Sequence, residues 1–178
     1  MIDDGLFLPM AEPIRMRLRN GLFYADVPTI GKIISATIEG KFAGIVPTAF
    51  KGYPYYALQI QDATNMFHVL FVPQASNLVY LVLSMCGEVF ANVFIEGYIN
   101  DDGRSRMRLY LDGKPAFPHY DVELPPIKRV RDGKGKPYHC LYGDRLKKIA
   151  QMIEMINKSN HIQPVCVRQH QRGIDNFL

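Results

Sequence analysis

Apolar and polar residues alternate with a period of two along much of the first part of the chain, which is typical of β-strands with one buried face. The first such run extends from Ile14 to Arg19. A longer run from Lys32 to Val46 is interrupted by Gly40 and Gly44. Glycine inside a strand permits a bulge or a close backbone approach, so this run predicts one long strand that bends sharply.

A β-hairpin is predicted after the turn residues that follow Val46. Alternation from Tyr55 to Gln61 predicts its first strand, the polar segment from Asp62 to Asn65 its turn, and Met66 to Val72 its second strand. The second strand is apolar on both faces apart from His68. The pattern therefore predicts the pairing but leaves the register of this strand open.

Between Asn77 and Cys86 the apolar residues recur at helical spacing, and Gly87 supplies a stop signal. This predicts a short helix, with a buried strand as the alternative. Val89 to Ile99 then returns to a period of two. The turn signal Asp102-Gly103 joins that strand to a second one, Arg106 to Leu111, whose inward residues are Met107, Leu109 and Leu111.

The order of these elements is a bent strand, a hairpin, a helix and a second hairpin, which is the element order of the five-stranded OB-fold barrel. Residues 30–111 resemble OB-fold domains of the kind that bind single-stranded nucleic acid, on the strength of Gly31-Lys32-Ile33-Ile34 and of Gly87-Glu88-Val89 through Gly97-Tyr98-Ile99. The resemblance implies a mainly β fold, a five-stranded Greek-key barrel with a short helix between its third and fourth strands.

The remaining chain divides into an arm and a helix. Residues 115–143 are rich in proline and glycine and predict a linker or extended arm. Asp144 is a candidate N-cap for an amphipathic C-terminal helix reaching about Asn157. Its apolar stripe comprises Leu146, Ile149, Ala150, Ile153 and Ile156. We expect an N-terminal extension at 1–29, the barrel at 30–114, the arm at 115–143 and the helix with its tail at 144–178.

The charge is distributed unevenly along the 178 residues. The net charge of +4 is the sum of −3 over residues 1–127 and +7 over residues 128–178. A basic tail on a near-neutral body suits contact with a polyanion, and it also suits a solvated helical tail. The three cysteines, Cys86, Cys140 and Cys166, are widely spaced, which favours free thiols in a reducing compartment. With an acidic start and no apolar span, we expect a cytoplasmic protein without membrane contact.

Aromatic residues and arginines alternate on the predicted outward face of the second hairpin. The premise is that Val89, Ala91, Val93 and Ile95 point inward. The residues that face outward are then Phe90, Phe94 and Tyr98 on one strand and Arg106, Arg108 and Tyr110 on the next. Aromatic rings stack on unpaired bases and arginines neutralise phosphates, so this pattern favours binding of single strands. A second protein layer or a partner chain covering the face is the alternative.

Further candidates lie outside that hairpin. Tyr53, Tyr55 and Phe67 fall on the first hairpin, which supplies the usual OB-fold binding surface, although strands favour such residues in any case. The basic run Lys128, Arg129, Arg131, Lys134 and Lys136 predicts phosphate contacts or a solvated loop. Arg15, Arg17 and Arg19 suit phosphate contacts or a charged edge strand equally well.

The sequence gives little support for a metal site or for catalysis. The spacing of His139, Cys140, His161, Cys166 and His170 matches no common zinc pattern. We find no phosphate-binding glycine loop and no nucleophile elbow, and Asp101-Asp102 lies in a predicted hairpin turn. We therefore expect no cofactor, no metal and no catalytic residue.

The leading hypothesis is a non-catalytic protein that binds single-stranded nucleic acid, DNA rather than RNA, of the kind that serves DNA replication or recombination. The alternative is an assembly subunit that docks into a homo-oligomer or a larger complex through the barrel and the C-terminal helix. An accessory domain of an enzyme is a third interpretation.

Overall fold

The computed structural model describes residues 14–19, 22–25, 33–50, 53–73, 78–126, 128–130, 139–141 and 143–163. These residues form a mainly β structure with a C-terminal helix, as the hydrophobic pattern predicts. The elements are β1 (Ile14–Arg19), β2 (Leu22–Ala25), β3 (Ile33–Ser35), β4 (Thr37–Phe50), β5 (Tyr53–Gln61), β6 (Phe67–Pro73), α1 (Leu78–Leu83), β7 (Asn92–Ile99), β8 (Ser105–Leu111), β9 (Lys114–Ala116), β10 (Lys128–Val130), β11 (His139–Leu141) and α2 (Gly143–Ser159).

One large sheet contains the first nine strands in the order β3-β2-β1-β6-β5-β4-β7-β8-β9. Its strand pairs are antiparallel except for the parallel pair of β1 and β6. β10 and β11 pair separately as a two-stranded antiparallel sheet. Both predicted hairpins, β5 with β6 and β7 with β8, are therefore present, and so is the short helix between them.

The predicted closed five-stranded barrel is not formed by the described residues. Closure of the strands β6-β5-β4-β7-β8 would require β6 to pair with β8. Instead, the N-terminal strand β1 takes the free edge of β6, with Ile14 opposite His68 and Arg15 opposite Val69. β9 pairs with the outer edge of β8. Because β1 occupies the edge that closure needs, the sheet is open and runs on to β2 and β3.

The long strand that bends at Gly40 and Gly44 is confirmed as β4, but it begins at Thr37 rather than at Lys32, because residues 33–35 form the separate strand β3 that pairs with β2. β4 pairs with β7 through residues 37–41 and with β5 through residues 41–50. A Cβ on Gly40 would lie 2.2 Å from the carbonyl oxygen of Gln61, so only glycine allows this approach. Gly44 has a φ of 114° at the point where the register shifts. β4 thus turns the sheet at these two glycines.

The core lies on one side of this bent sheet and is closed by both helices. Strand residues such as Ile45, Leu58 and Ile95 are fully buried there, together with Met16 and Phe23 from the N-terminal strands. The predicted apolar stripe of α2 enters the same core through Ile149, Ile153 and Ile156. The free thiol Cys86 packs against it and is half-buried. In the described part of the chain, each helix falls short of the length and apolar character needed to cross a membrane.

A side-chain amide joins α2 to the bent strand. Asn157 is only 8% exposed, and its Oδ1 accepts a hydrogen bond from the Ile45 N–H at 2.9 Å. Its Nδ2 donates to the Ile45 carbonyl at 2.7 Å. β4 has left β7 at this position, so the amide takes the place of a neighbouring strand. Both peptide groups of a buried residue are thereby satisfied.

Asn160, directly after α2, makes a second polar contact, with the segment that precedes β7. The Asn160 Oδ1 accepts from the Phe90 N–H at 2.8 Å, and its Nδ2 donates to the Glu88 carbonyl at 3.2 Å. His161 has a positive φ of 54°, and the Ile162 N–H bonds to the Asn157 carbonyl at 2.9 Å. This is the geometry of a Schellman cap, which ends the helix.

The first part of the predicted arm is packed against the fold. Beyond β9, Val122 and Leu124 lie against the core. Arg145 of α2 donates to the Pro125 carbonyl at 3.4 Å, and Lys148 donates to the Glu123 carbonyl. Residues 122–125 therefore cover part of the core beside α2.

Replacing Asn157 by Ala should lower the free energy of unfolding by about 3 kcal/mol, because two buried peptide groups of Ile45 lose their partner. Urea denaturation measures the change. Lys158→Ala, at the exposed next position, is the matched control and should cost less than about 0.5 kcal/mol. Equal losses in the two variants would show that the amide does not dock the helix.

Candidate nucleic-acid interface

The face of β4, β7 and β8 that points away from the core, here called the outer face, carries side chains in cross-strand rows. Glu39, Phe94 and Tyr110 form one row. The next row contains Glu96 opposite Arg108, and the third contains Tyr98 opposite Arg106. Neighbouring strands are about 4.8 Å apart, so the members of each row are within reach of one another.

Aromatic and cationic groups contact each other along the outer face. The rings of Phe94 and Tyr110 meet edge to face, with centroids 5.6 Å apart and an interplanar angle of 67°. The guanidinium carbon of Arg108 lies 4.2 Å from the centroid of the Tyr98 ring, a cation–π distance. Arg108 also lies 3.5 Å from a carboxylate oxygen of Glu96. The face therefore combines π-surfaces with positive charge, and Glu96 lies among them.

The outer face is open as far as the structure describes the chain. Arg106 and Arg108 are exposed, and Phe94, Tyr98 and Tyr110 are half-buried in contact with their neighbours. Both helices place their buried side chains in the core, on the opposite side of the sheet. Within the described ranges, the second layer considered from the sequence is therefore not supplied by α1, α2 or β1. All five side chains lie on the face that the alternation predicts, and their role in binding stays a prediction.

Phe90 was expected on this face, and the structure places it in the core. It is 7% exposed, and its ring centroid lies 5.0 Å from that of Phe42. The reason is that β7 begins only at Asn92, so the alternation does not extend back to Phe90. Val89, expected inside, is 76% exposed.

The first hairpin carries a separate group of aromatic residues. Tyr55 meets Phe71 edge to face with centroids 6.5 Å apart. Phe71 packs on a small cluster of buried residues, Val46, Ala57 and Val69. Phe67 is half-buried at the far end of β6, and Tyr53 lies in β5 with its side chain outside the described residues. β4 lies between this hairpin and β7, and the register places Phe67 in one cross-strand row with Gln61, Lys41 and Asn92. The role of Tyr53, Tyr55 and Phe67 in binding stays a prediction.

The basic residues of the arm are only partly described. Lys128 and Arg129 lie in β10, paired with Leu141 and Cys140 of β11. Arg131, Lys134 and Lys136 lie outside the described residues. In this part of the arm, β10 is therefore held by a strand partner.

Arg15, Arg17 and Arg19 lie in β1, and their side chains are outside the described residues. His161 lies in the cap that ends α2, and Cys166 and His170 lie outside the described residues. Among the residues that can be searched, no cluster of three or more His, Cys, Asp or Glu side chains could hold a metal ion.

Carboxylates on the outer face were missed by the sequence reasoning. Glu39 and Asn92 lie at a small cavity of about 250 Å³, here called the aromatic recess. Its other lining residues are Val93, Phe94, Tyr110 and Gly113. Alternation with the buried Ile38 could have placed Glu39 on this face, but only the register of β4 with β7 brings it beside Phe94.

Asp62 organises the turn between β5 and β6. One carboxylate oxygen accepts from the Thr64 N–H, the Thr64 hydroxyl and the Met66 N–H at 2.8, 2.6 and 3.0 Å. The other oxygen lies 2.6 Å from His68 Nε2. The bond to His68, followed by those to Thr64, lowers the pKa of Asp62 well below its usual value. On the inner face of the same hairpin, burial raises the pKa of Tyr56, and the charge of Arg145 partly opposes that rise.

Comparison with protein-family models, with curated proteins and with solved structures found no match for this chain. The functional proposal therefore rests on the arrangement of the chain's own residues.

Acidification should destabilise the protein through Asp62. Its folded-state pKa lies below the unfolded value of about 3.9, so its contribution is present above that pH and is lost as the pH falls. Asp62→Asn should make the free energy of unfolding less dependent on pH between about 5 and 2. Urea midpoints measured at several pH values test this, with the exposed Asp102→Asn as the control. An unchanged profile in Asp62→Asn would refute the proposed linkage.

Truncation of Phe90 and truncation of Phe94 should lower the free energy of unfolding by different amounts. Phe90→Ala should cost about 3 kcal/mol or more of unfolding free energy, because a core side chain is removed. Phe94→Ala should cost less than about half of that, since its ring lies on the open side of the sheet. A larger loss for Phe94→Ala in thermal or urea denaturation would invert the assignment of faces.

Proposed function

We propose that this protein is a non-catalytic binder of single-stranded nucleic acid, with DNA as the preferred ligand over RNA. The outer face is the proposed platform. The observation that carries the proposal is that Phe94, Tyr98 and Tyr110 share an open sheet face with Arg106 and Arg108. Unpaired bases stack on such rings at about 1–3 kcal/mol each, and phosphates contact the arginines.

The strand order supports an OB-like assignment for β4 to β8. A long bent strand pairs with two hairpins, and a short helix lies between them, which is the order of an OB-fold. In our interpretation, β1 replaces the closing strand pair at the edge of β6. The proposed platform then lies on the β7 and β8 side of β4, and the packed aromatic residues of β5 and β6 lie on the other.

The interactions of Tyr98 bear on how a base would bind. Arg108 already covers the Tyr98 ring at 4.2 Å. A planar guanidinium stacks on aromatic rings, so a base can add to the Arg108 layer or displace it. In both cases, removing Arg108 takes away a stacking surface and a phosphate contact together. We therefore expect a larger loss of affinity for the single strand than from removing an isolated surface charge.

An assembly subunit is the second candidate, and a different surface favours it. Tyr120 is 66% exposed, and its ring centroid lies 5.4 Å from that of Tyr80 in α1. Large exposed aromatic side chains are enriched at protein interfaces. Ile149, Ile153 and Ile156 of the α2 stripe are buried in the core of its own chain, so a docking role for that helix would fall to its other side chains.

Binding of a fluorescently labelled single strand of about twelve nucleotides, measured by anisotropy at several salt concentrations, tests the proposal. We expect micromolar or tighter affinity at low salt, with log K falling linearly against log salt. DNA should bind more tightly than RNA of the same sequence. Phe94→Ala, Tyr98→Ala and Arg108→Ala should each weaken binding by about fivefold or more.

The matched control is Tyr120→Ala, which removes an exposed aromatic ring that contacts Tyr80 of α1, on the core side of the sheet. It should leave the affinity unchanged. Absence of binding at low salt would refute the proposal, and so would weakening by Tyr120→Ala alone. The second result, together with a co-purified protein that Tyr120→Ala releases, would favour the assembly subunit.

A further inference from the structure

The aromatic recess has the size and lining of a site for one ring system. Its volume of about 250 Å³ is below the range of roughly 300–1,000 Å³ that is usual for drug-sized ligands. Phe94 and Tyr110 supply aromatic surface, and Val93 lies buried beneath. Glu39 and Asn92 provide the polar groups. A flat ring with a polar edge matches this combination.

The positions of the two polar residues follow from the strand register. Glu39 lies opposite Phe94, and Asn92 lies opposite Lys41, two positions along β4. Glu39 and Asn92 are therefore diagonal neighbours on adjacent strands, at the roughly 7–8 Å spacing of such pairs. Backbone bonds hold Asn92 in place, because its N–H donates to an Asp112 carboxylate oxygen at 2.8 Å and its carbonyl accepts from the Asp112 N–H at 3.0 Å.

The charges near the recess favour a base edge over a phosphate. Glu39 lies at the recess and Glu96 lies one row away, so a phosphate entering it would meet two carboxylates. The arginines lie in the neighbouring rows on β8. A strand can therefore contact Arg106 and Arg108 with its phosphates while one neutral base occupies the recess.

A carboxylate distinguishes the bases by their donors. Guanine presents two adjacent donors, N1–H and the 2-amino group, and both can bond to one carboxylate. Cytosine and adenine present one amino group beside an acceptor, and thymine presents one N–H between two carbonyls. Carboxylates accept hydrogen bonds from base amino groups, and a good bidentate pair gives about 1–3 kcal/mol of discrimination.

We propose that the aromatic recess binds one unpaired guanine of the single strand. Its ring lies against Phe94 and Tyr110, and its N1–H and 2-amino group donate to Glu39. The Asn92 amide donates to the guanine O6. This assignment rests on the proposed function and adds a base preference to an otherwise sequence-tolerant platform.

An arginine side chain of a protein partner is the competing occupant, since a guanidinium also suits a carboxylate beside aromatic rings. Arg106 and Arg108 on the same face, with Lys41 opposite Asn92, disfavour a further cation there. We therefore assign the recess to the neutral base.

Labelled thymidine strands of about twelve nucleotides, with one central residue changed to guanine, hypoxanthine, adenine or cytosine, test the assignment by anisotropy. The guanine strand should bind about tenfold more tightly than the all-thymine strand. Hypoxanthine lacks the 2-amino group and should lose most of this gain. Glu39→Gln should bring the guanine and thymine strands within about twofold of each other. Glu154→Gln on the exposed side of α2 makes the same charge change and should keep the preference.

The outcomes separate this inference from the proposed function. Equal binding of guanine and thymine strands by the unaltered protein would overturn the guanine site and leave single-strand binding intact. Failure of every strand to bind at low salt would refute the proposed function itself. Binding of an arginine-rich peptide that depends on Glu39, without a guanine preference, would assign the recess to a protein partner. Circular dichroism of Glu39→Gln confirms that the variant is folded.

Discussion

The amide of Asn157 holds α2 against the unpaired edge of β4, and the position of the helix decides which side of the sheet is covered. Its two hydrogen bonds to Ile45, at 2.9 and 2.7 Å, replace the strand pairing that β4 loses when it leaves β7. A buried peptide group without a partner costs about 1–3 kcal/mol. The helix is therefore specified at this position by polar groups as well as by its apolar stripe.

The bend of β4 makes this docking possible. Gly40 allows the close approach to Gln61, and Gly44 adopts the positive φ at the register shift. Past the bend, Ile45 faces the helix, whereas Glu39 before the bend shares a row with Phe94 and Tyr110. The same strand thus contributes to the core beneath α2 and to the open outer face. Asn160 completes the arrangement by holding the segment before β7.

Local patterns in the sequence predicted the regular elements well. The alternation in β7 and β8 placed Phe94, Tyr98 and Arg108 correctly, because both strands have one face in the core. The alternation failed at Phe90, because β7 begins only at Asn92 and the Phe90 ring packs on Phe42 in the core. Closure of the barrel also failed as a prediction, since it depends on whether β1 or β8 takes the edge of β6, a contact between distant parts of the chain. The contact of Asn157 with β4 could not be predicted either, because its partner Ile45 lies 112 residues away in the chain.

The candidate site shows the same division between local and long-range information. Its aromatic residues and arginines were visible as alternating positions, whereas Glu39 joins them only through the register of β4 with β7. The most direct test is an NMR titration of the isotope-labelled protein with a single-stranded oligonucleotide. We expect the largest shift changes at the rings of Phe94, Tyr98 and Tyr110 and at the amides of β7 and β8, with small changes around Tyr80 and Tyr120. Changes confined to Tyr80 and Tyr120, or none at saturating oligonucleotide, would contradict the assignment of the outer face as the binding surface.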